Sequence, residues 1–247
     1  MIDLHCHILP GVDDGSASEE ESCMMAETAA ASGVTVIAAT PHCNVPGSYQ
    51  NLDPADLRRR LDTLRALLRR QGIPVELKPG MEVFVTPQVP ELLRRKQLLT
   101  LNDSRYLLVE FGFDEPLDYA DGMLEAIRAE GVVPVVAHPE RYRFVQAERE
   151  CLLRWTRAGY VLQVNKDSLF GRFGRRAAEL AHWCLGEGCI HLLGSDAHSP
   201  FRRTARLEEA WAYTAELDSP EIADFLLRDN PERILSDRPV KPVLAEF

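Results

Sequence analysis

Short apolar runs alternate with amphipathic stretches from one end of the chain to the other. Each apolar run has the length and the share of β-branched residues that are typical of a buried strand. This pattern predicts seven strands, over Ile2–His5, Val34–Thr40, Val75–Met81, Tyr106–Phe111, Val132–Ala137, Tyr160–Val164 and Ile190–Gly194.

Between the strands, apolar residues recur every three or four positions, as on the buried face of a helix. A glycine stands at the end of five of these stretches, where a left-handed residue is commonly needed. The spacing predicts helices over Ser18–Ser32, Pro54–Gln71, Pro87–Lys96, Ala120–Glu130, Ala147–Ala158, Gly174–Gly186 and Arg206–Leu217, with a last short one over Asn230–Leu235. The five glycines are Gly33, Gly72, Gly131, Gly159 and Gly188.

Repeated strand–helix units with apolar strands indicate an α/β fold in which a parallel sheet is covered by helices. The sequence contains neither a Gly-x-Gly-x-x-Gly motif nor a P-loop. A closed or nearly closed barrel is therefore favoured over an open, doubly wound sheet. A chain of 247 residues fits one such domain, and no segment resembles a linker. We expect a single domain over residues 1–247.

The formal net charge of −10 argues against nucleic acid as the main partner, because phosphate contacts need a basic surface. No run approaches the roughly 18 apolar residues that a membrane helix needs, and the first residues lack the features of a signal peptide. The six cysteines form no Cys-x-x-Cys pair, which is typical of free thiols in a reducing compartment. We expect a cytoplasmic protein that does not span a membrane.

The first seven residues carry the strongest chemical signal, the pattern Asp3-Leu-His5-Cys-His7. Because side chains alternate between the two faces of a strand, these three polar residues are expected to project from the same side. Two imidazoles and a carboxylate at one strand end suit a divalent metal. By itself the pattern is a moderate signal, so the metal site depends on what the later strands supply.

The ends of the other predicted strands supply further His, Asp and Glu residues, at the positions where barrel enzymes build their active sites. Each could be an ordinary polar loop residue, but carboxylates directly after apolar strands need a cation as partner. A set of His, Asp and Glu suits Mn, Fe, Mg or Zn, and about nine ligands suit two or three ions. The segments are Asp13-Asp14-Gly15, Thr40-Pro41-His42, Gly80-Met81-Glu82, Val109-Glu110-Phe111, His138-Pro139-Glu140-Arg141, Gln163-Val164-Asn165 and Ser195-Asp196-Ala197-His198.

With these motifs the chain resembles the PHP (polymerase and histidinol phosphatase) superfamily. Within it, the chain is most similar to the metal-dependent protein-tyrosine phosphatases of bacterial capsule and exopolysaccharide clusters, the CpsB/CapC type. The segments Val12–Gly15 and His138–Tyr142 separate this branch from the polymerase-associated and histidinol-phosphatase branches. The loops Cys43–Gln50 and Asn165–Gly171 depart from the family's pattern, which leaves their roles open.

The resemblance implies a distorted seven-stranded (β/α) barrel, similar to a TIM barrel, that holds three divalent metal ions. Mn²⁺ is the expected ion, with Fe, Mg or Zn as alternatives. Asp3 would orient a ligand histidine through its second ring nitrogen. The implied ligands are His5, His7, Glu82 and Asp196 for one ion, the shared Glu82 with Glu110 and His138 for a second, and Asp14, His42 and His198 for a third.

The resemblance also implies that Arg141 and a second arginine bind the phosphate. Arg203 has the expected spacing after the Asp-x-His pair, and Arg202 is its rival. Both arginines would hold phosphate oxygens through paired hydrogen bonds, which a lysine does not reproduce. Tyr142 is a candidate contact for the substrate ring, although packing explains it equally well.

The implied reaction is hydrolysis of phosphotyrosine in proteins, with an autophosphorylated bacterial tyrosine kinase that controls capsule synthesis as the expected partner. Metal ions about 3.5–4 Å apart bind a bridging hydroxide that attacks phosphorus in line. Asp14 and His42 act with Arg141 and Arg203 as the expected catalytic residues.

Three alternatives remain open at this point. The same chemistry fits a small phosphomonoester such as histidinol phosphate. A phosphodiesterase or nuclease is disfavoured by the negative charge. A non-catalytic metal-binding module is the alternative from a different class, but such proteins usually lose several ligands.

A further motif, Cys151-Leu-Leu-Arg-Trp-Thr-Arg157, matches the Cys-x5-Arg spacing of thiol-based tyrosine phosphatases. That chemistry needs a glycine-rich loop whose N–H groups surround the phosphate. Here the intervening residues are bulky and favour a helix, so no catalytic role is expected for Cys151.

Overall fold

The structure of the protein is a computed structural model that describes residues 1–241. Within that range every strand pairs in parallel with its neighbours. The strands are β1 (Ile2–Cys6), β2 (Val36–Ala39), β3 (His42–Cys43), β4 (Glu76–Pro79), β5 (Glu82–Phe84), β6 (Tyr106–Glu110), β7 (Val133–Ala137), β8 (Val161–Asn165) and β9 (Leu192–Gly194).

The α-helices of the described residues connect these strands or follow the last of them. They are α1 (Glu19–Ala31), α2 (Pro54–Gln71), α3 (Val89–Arg94), α4 (Leu117–Ala129), α5 (Arg143–Ala147), α6 (Cys151–Arg157), α7 (Lys166–Leu169), α8 (Arg175–Gly186), α9 (Glu208–Leu217), α10 (Pro220–Asp224) and α11 (Asn230–Leu235).

The strands form two sheets, in the orders β1-β2-β4 and β3-β5-β6-β7-β8-β9. Only Thr40 and Pro41 separate β2 from β3, and only Gly80 and Met81 separate β4 from β5. Each of these pairs therefore occupies one predicted strand that is interrupted by two residues. The α/β class with parallel strands is confirmed.

Strand pairing within residues 1–241 gives two separate sheets, so the predicted closed or nearly closed barrel is not confirmed. At their free edges, β1 meets the residues after β9 through a bridge between Cys6 and Ala197. Hydrogen bonds of 2.9 Å run from His7 N to Ala197 O and from Asp196 N to His5 O. This local contact brings the C-terminal ends of the first and last strands together. Because all strands are parallel, the other strand ends lie on the same side of the molecule.

Helix α2 shows why the predicted helices form where they do. Asp53 caps its N-terminus, since Oδ1 accepts hydrogen bonds from the backbone N–H groups of Ala55 and Asp56. Pro54 occupies the first turn, where its missing N–H costs nothing. Gly72 ends the helix in the left-handed conformation at φ 72°. All five glycines predicted at helix ends have a positive φ.

Some predicted helix boundaries are wrong. The helix expected over Ala147–Ala158 is two helices, α5 and α6, because Glu148 leaves the helical conformation at φ −139° and ψ 67°. The segment expected over Pro87–Lys96 shortens to α3. The loop Asn165–Gly171 contains the short helix α7, which the sequence pattern does not reveal.

Two groups of buried apolar side chains stabilise the fold. One joins strand residues such as Leu4, Leu108 and Val161 to Ile234 of α11. The other, larger group packs helices such as α2 and α4 onto the sheets. Among residues 1–241, no helix has both the length and the apolar character needed to cross a lipid bilayer.

Candidate metal centre

The strand ends bring all nine predicted metal ligands into one cluster of nitrogen and oxygen donors. Their donor atoms form four overlapping groups, and the atoms of each group lie within 4.8 Å of one another. The groups are His7, Asp14, His42 and His198; His5, His7 and Asp196; His5, Glu82 and His138; and His42, Glu82 and Glu110.

Glu82, the first residue of β5, lies at the middle of the cluster and is fully buried. Its Oε1 lies 3.1 Å from His5 Nε2 and 3.0 Å from His138 Nε2. Its Oε2 lies 3.3 Å from His7 Nε2 and 3.1 Å from His42 Nδ1. One carboxylate thus faces four imidazoles, as expected of a ligand shared between metal ions.

Asp196, which follows β9, faces the cluster from the opposite edge. Its Oδ1 lies 3.4 Å from His5 Nε2, 3.5 Å from His7 Nε2 and 3.5 Å from His198 Nδ1. Burial would raise the pKa of this carboxyl, but His5, His7 and Arg203 hold it well below the usual range. Asp196 is therefore a buried anion with three imidazoles around one of its oxygens.

The third part of the cluster lies at its solvent-exposed side. Asp14 Oδ1 lies 3.5 Å from His42 Nε2 and 3.6 Å from His198 Nε2. The side chain of Asp14 is 52% exposed, whereas those of His42 and His198 are largely buried. The loop after β3 places Tyr49 parallel to the His42 ring, with the centroids 6.1 Å apart. The side of Asp14 is therefore the part of the cluster that is open to solvent.

Several of these donor atoms lie close together, an arrangement that suits the binding of divalent cations. The Nε2 atoms of His5 and His7 lie 3.3 Å apart. Glu82 Oε2 and His42 Nδ1 are buried and lie 3.1 Å apart, but their orientation gives no hydrogen bond between them or to any other of the described residues. Such atoms are costly unless a cation completes their coordination. Burial also lowers the pKa of His138 to about 4, which leaves a neutral nitrogen free to bind a metal.

The carboxylates of Glu82 and Glu110 also lie close together, since both belong to a donor group whose atoms lie within 4.8 Å of one another. Burial and the charge of Glu82 raise the pKa of Glu110 to about 8. A divalent ion between the two carboxylates would remove this repulsion. The chemistry of the donor set, mixed imidazole and carboxylate without sulfur, suits Mn, Fe, Mg or Zn.

Two residues that the sequence prediction missed hold the first histidines in place. Gln163 Oε1 lies 2.7 Å from His5 Nδ1, and Asp13 Oδ2 lies 2.7 Å from His7 Nδ1. In each ring the other nitrogen, Nε2, faces the cluster. Partners of this kind fix the orientation of metal-binding histidines. Both residues stand in strand-end segments named in the sequence analysis, Asp13-Asp14-Gly15 and Gln163-Val164-Asn165, but neither pattern indicates that the side chain orients a histidine.

The prediction that Asp3 orients a ligand histidine through the ring is wrong. Asp3 Oδ1 accepts hydrogen bonds from the backbone N–H groups of His5 and Ser195, and Ser195 Oγ donates to Asp3 Oδ2 at 2.5 Å. The register of β1 on β2 shifts between Asp3 and Cys6, which interrupts the simple alternation of side chains. Asp3 therefore joins β1 to the loop after β9.

Steric crowding explains why the third residue of the Asp13-Asp14-Gly15 motif is a glycine. A Cβ atom at Gly15 would lie 2.2 Å from His7 O and 2.4 Å from His7 Cβ. Asp13 folds this loop back by accepting hydrogen bonds from the backbone N–H groups of Gly15 and His42. The loop can thus approach β1 closely enough for Asp13 to reach the His7 ring.

The two predicted phosphate-binding arginines both contact Asp196 Oδ2. Arg141 Nη1 lies 3.1 Å from that oxygen, and Arg203 Nη2 also pairs with it. Arg202 makes no ion pair within the described residues 1–241. Arg203, and not Arg202, is thus the arginine that lies beside Asp196, and its contact with phosphate stays a prediction.

Aromatic rings hold Arg141 from two sides. Its guanidinium lies 5.0 Å from the ring centroid of Phe113 and 4.4 Å from that of Phe173, and Arg203 lies 5.7 Å from Phe173. These distances are typical of cation–π contacts. Neither phenylalanine was predicted, since a lone aromatic residue in a loop carries no signal.

Tyr142 does not stand beside the substrate as the sequence analysis suggested. Its ring is fully buried, and its hydroxyl donates to Ala137 O at 2.7 Å and accepts from Phe111 N at 3.0 Å. It packs against Phe144, with the ring centroids 5.3 Å apart. Tyr142 therefore stabilises the end of β7 below the metal centre, and the packing explanation is the one that the structure supports.

Three of the predicted site residues have strained backbones. His138, Asp196 and Arg203 have φ angles of 35°, 50° and 49°, a region that residues other than glycine rarely adopt. Such strain is commonly concentrated at functional sites, where surrounding contacts fix it.

Cys151 lies buried in the regular helix α6, where burial raises the pKa of its thiol to about 12. It has none of the features of a catalytic cysteine.

Comparison with known proteins identifies a family and several relatives. Residues 1–236 match the family described as capsular polysaccharide synthesis, CpsB/CapC. The tyrosine-protein phosphatase YwqE of Bacillus subtilis is 35% identical over 240 residues, which cover 97% of this chain and 93% of YwqE. The tyrosine-protein phosphatase CpsB of Streptococcus pneumoniae is 29% identical over 243 residues, which cover 96% of this chain and 99% of CpsB.

The fold is similar to a solved structure of the same kind. A chain from the crystal structures of YwqE from Bacillus subtilis and CpsB from Streptococcus pneumoniae, described as unique metal-dependent tyrosine phosphatases, superposes with a TM-score of 0.88. It is 35% identical in sequence, and the match covers 98% of this chain and 99% of that one.

Proposed function

The chain belongs to the capsular polysaccharide synthesis family CpsB/CapC, and we propose on that basis that it is a metal-dependent phosphatase that hydrolyses phosphotyrosine in proteins. One observation carries this proposal further. Arg141 and Arg203 meet at Asp196 Oδ2, directly beside the His and carboxylate donors. A phosphate placed between the two guanidinium groups would therefore lie against the metal centre.

The centre is proposed to hold three divalent ions, with Mn²⁺ preferred. The ligands would be those that the sequence analysis assigned. The four donor groups contain all nine of them but overlap at His5, His7, His42 and Glu82, so they support a shared metal centre and not a particular division among ions. Bound ions would supply Lewis acidity to the phosphate and acidify the attacking water. The orphaned atoms of Glu82 and His42 support metal binding independently of any relative.

The side chains of this protein have separate tasks in the proposed reaction. Arg141 and Arg203 bind the oxygens of the phosphate and stabilise the charge that spreads over them in the transition state. Phe113 and Phe173 hold Arg141 in position through their rings. Asp14 and His42, at the exposed side, orient the water that attacks phosphorus. The phenolate of phosphotyrosine is a good leaving group, so proton donation to it is of lesser importance.

The proposed substrate is the autophosphorylated tail of a bacterial tyrosine kinase that controls capsule or exopolysaccharide synthesis, encountered in the cytoplasm. The family to which the chain belongs supports the link to capsular polysaccharide. We also propose that the chain is one domain of PHP type, in which the interrupted strands and the Cys6–Ala197 bridge make one distorted seven-stranded barrel out of the two sheets.

The test is a side-by-side turnover assay on manganese-loaded protein. It compares a phosphotyrosyl peptide, a phosphoseryl peptide and histidinol phosphate, each before and after exhaustive chelation. We expect a clear preference for the phosphotyrosyl peptide, lost on chelation and restored by Mn²⁺. Preference for histidinol phosphate would overturn the assignment of the substrate, and activity that survives chelation would overturn the role of the metal. If no substrate is hydrolysed although the metal is bound, the protein is a binding module.

A further inference from the structure

A groove of about 540 Å³ opens directly beside the metal centre. Arg203, which contacts Asp196 of the centre, is also one of the residues that line the groove. From there the groove extends between the loop after β9 and the segment that contains α7. A polypeptide whose phosphotyrosine is bound by Arg203 would therefore have flanking residues within reach of this groove.

The groove is basic although the protein is acidic. Five cationic and only two anionic side chains line it, in a chain whose formal net charge is −10. The cationic residues are Lys166, Arg172, Arg202, Arg203 and Arg206. A local excess of positive charge in a concave surface raises the local concentration of anionic groups.

The carboxylates inside the groove do not cancel this charge. Asp167 is buried, and its Oδ1 contacts both Lys166 Nζ at 2.9 Å and Arg172 Nη1 at 2.7 Å. One anion therefore faces two cations. Glu209 is exposed and lies 3.6 Å from Arg172 Nη2. Arg203 pairs with Asp196 and Arg206 pairs with Glu208, both outside the lining of the groove. Of the five cations, Arg202 alone therefore has no carboxylate partner among the described residues.

Arg202 supplies the uncompensated positive charge of the groove. Its side chain is exposed, and within residues 1–241 it has no carboxylate partner. Its backbone is held in place, since Ser199 Oγ accepts a hydrogen bond from Arg202 N at 2.9 Å and donates one to Arg202 O at 2.9 Å. The guanidinium is therefore presented from a fixed loop and is free to pair with a ligand.

The groove also offers apolar surface to a peptide. Phe201 is 73% exposed, a larger fraction than for any other large apolar side chain of the described residues. Phe173, on the other side, already contacts Arg141 and Arg203 through its ring. Exposed aromatic residues next to cations are typical of surfaces that bind peptides with acidic side chains.

We propose that this groove binds acidic residues that neighbour the phosphotyrosine in the substrate polypeptide. The inference rests on the proposed function, because Arg203 links the two sites only if it binds the phosphate. An extended peptide advances about 3.3–3.6 Å per residue, so acidic residues within about four positions of the phosphotyrosine would reach the groove. Arg202 is the residue that would select them.

The experiment compares two phosphotyrosyl peptides that differ only in three flanking residues, glutamate in one and glutamine in the other. For the manganese-loaded wild type we expect kcat/KM to be about fivefold to tenfold higher for the acidic peptide at low salt. The preference should decrease at high salt, because exposed ion pairs are screened. The Arg202→Glu variant should lose the preference or reverse it, and Arg202→Gln should give an intermediate ratio.

Arg176→Glu is the matched control, since it makes the same charge change on the exposed surface of α8 outside this groove. It should keep the wild-type ratio. Equal turnover of both peptides by the wild type would overturn the groove proposal while leaving the phosphatase intact. An unchanged ratio in Arg202→Glu would also overturn it. If neither peptide is hydrolysed by manganese-loaded wild type, the proposed function fails instead, so the two failures are distinguishable.

Discussion

Gln163 in the middle of β8 holds His5 at the end of β1, with Oε1 of the amide 2.7 Å from Nδ1 of the ring. The same amide donates from Nε2 to Asn165 Oδ1 at 3.0 Å, and Asn165 Nδ2 donates to Asp196 Oδ2 at 2.7 Å. Two amides thus connect a histidine of the metal centre to a carboxylate of the same centre. This chain of hydrogen bonds fixes the two side chains relative to each other.

We predict that Gln163→Leu weakens metal binding by about 10-fold to 100-fold, because the His5 ring loses the acceptor that orients it. Gln163→Glu should cause a smaller loss, since glutamate keeps an acceptor oxygen but cannot donate to Asn165. The dissociation constant for Mn²⁺ is measured on metal-free protein by titration against a competing chelator. The thermal unfolding midpoint shows whether each variant is folded. Equal affinity of Gln163→Leu and wild type would contradict the prediction.

Arg203→Lys should lower kcat/KM for p-nitrophenyl phosphate by at least about tenfold, because an ammonium group does not reproduce the paired hydrogen bonds of a guanidinium. Arg202→Lys is the matched control on the neighbouring residue. It should stay within about twofold of the wild type, since Arg202 does not contact Asp196. If the two variants have equal effects, the assignment of Arg203 to the phosphate is wrong.

Gly15→Ala should destabilise the protein by about 1–3 kcal/mol and weaken metal binding, since the added Cβ collides with the backbone of His7. Gly122→Ala is the control, because Gly122 lies inside α4 and a Cβ there meets no atom within 4 Å. That variant should be as stable as the wild type or more stable by up to about 1 kcal/mol. Urea unfolding measures the stability of both variants. If Gly15→Ala is as stable as the wild type, the loop can move away from His7.

Cys151→Ser should leave turnover of the phosphotyrosyl peptide within about twofold of the wild type, since the thiol is buried in α6 and far from its ionised form. Kinetics of the two proteins under reducing conditions provide the comparison. A loss of activity with unchanged metal content would mean that the Cys-x5-Arg spacing has a function after all.

The strand ends could be predicted from the sequence because the relevant pattern is local. An apolar run followed by His, Asp or Glu marks both a strand and the residue that leaves it, as at Val109-Glu110. In a parallel fold all such residues lie at one side, so no long-range information is needed to place them together. The interruptions at Thr40-Pro41 and Gly80-Met81 do not change that side, which is why the ligand set is unaffected by them.

What the sequence could not predict depends on packing between distant segments. Gln163 and His5 are 158 positions apart, and nothing near either residue indicates the other. The expected contact of Asp3 with a histidine ring and the candidate contact of Tyr142 with the substrate ring are absent from the structure for the same reason. A register shift in β1 and a hydroxyl used by Ala137 and Phe111 decide their roles, and both features exist only in the folded chain.

His191 is a histidine that lies away from the metal centre. It is buried, its Nδ1 accepts a hydrogen bond from Leu162 N at 3.1 Å, and burial lowers its pKa to about 4. In the unfolded chain the ring takes its ordinary pKa of about 6.5. Between these values only the unfolded state binds the proton, so stability is complete above about pH 6.5 and is lost as the pH falls towards 4.

The expected size of this effect is about 2 kcal/mol between pH 7.5 and pH 5, since each pKa unit corresponds to about 1.36 kcal/mol. Urea unfolding of metal-free protein is measured at both pH values for the wild type and for His191→Gln, whose amide oxygen can still accept from Leu162 N. The stability difference between the two proteins should change by that amount in favour of the variant at pH 5. As an independent readout, the NMR signal of the His191 ring should not titrate above about pH 5. A ring that titrates near pH 6.5, or a variant that loses as much stability at pH 5 as the wild type, would show that the buried neutral imidazole is not the cause.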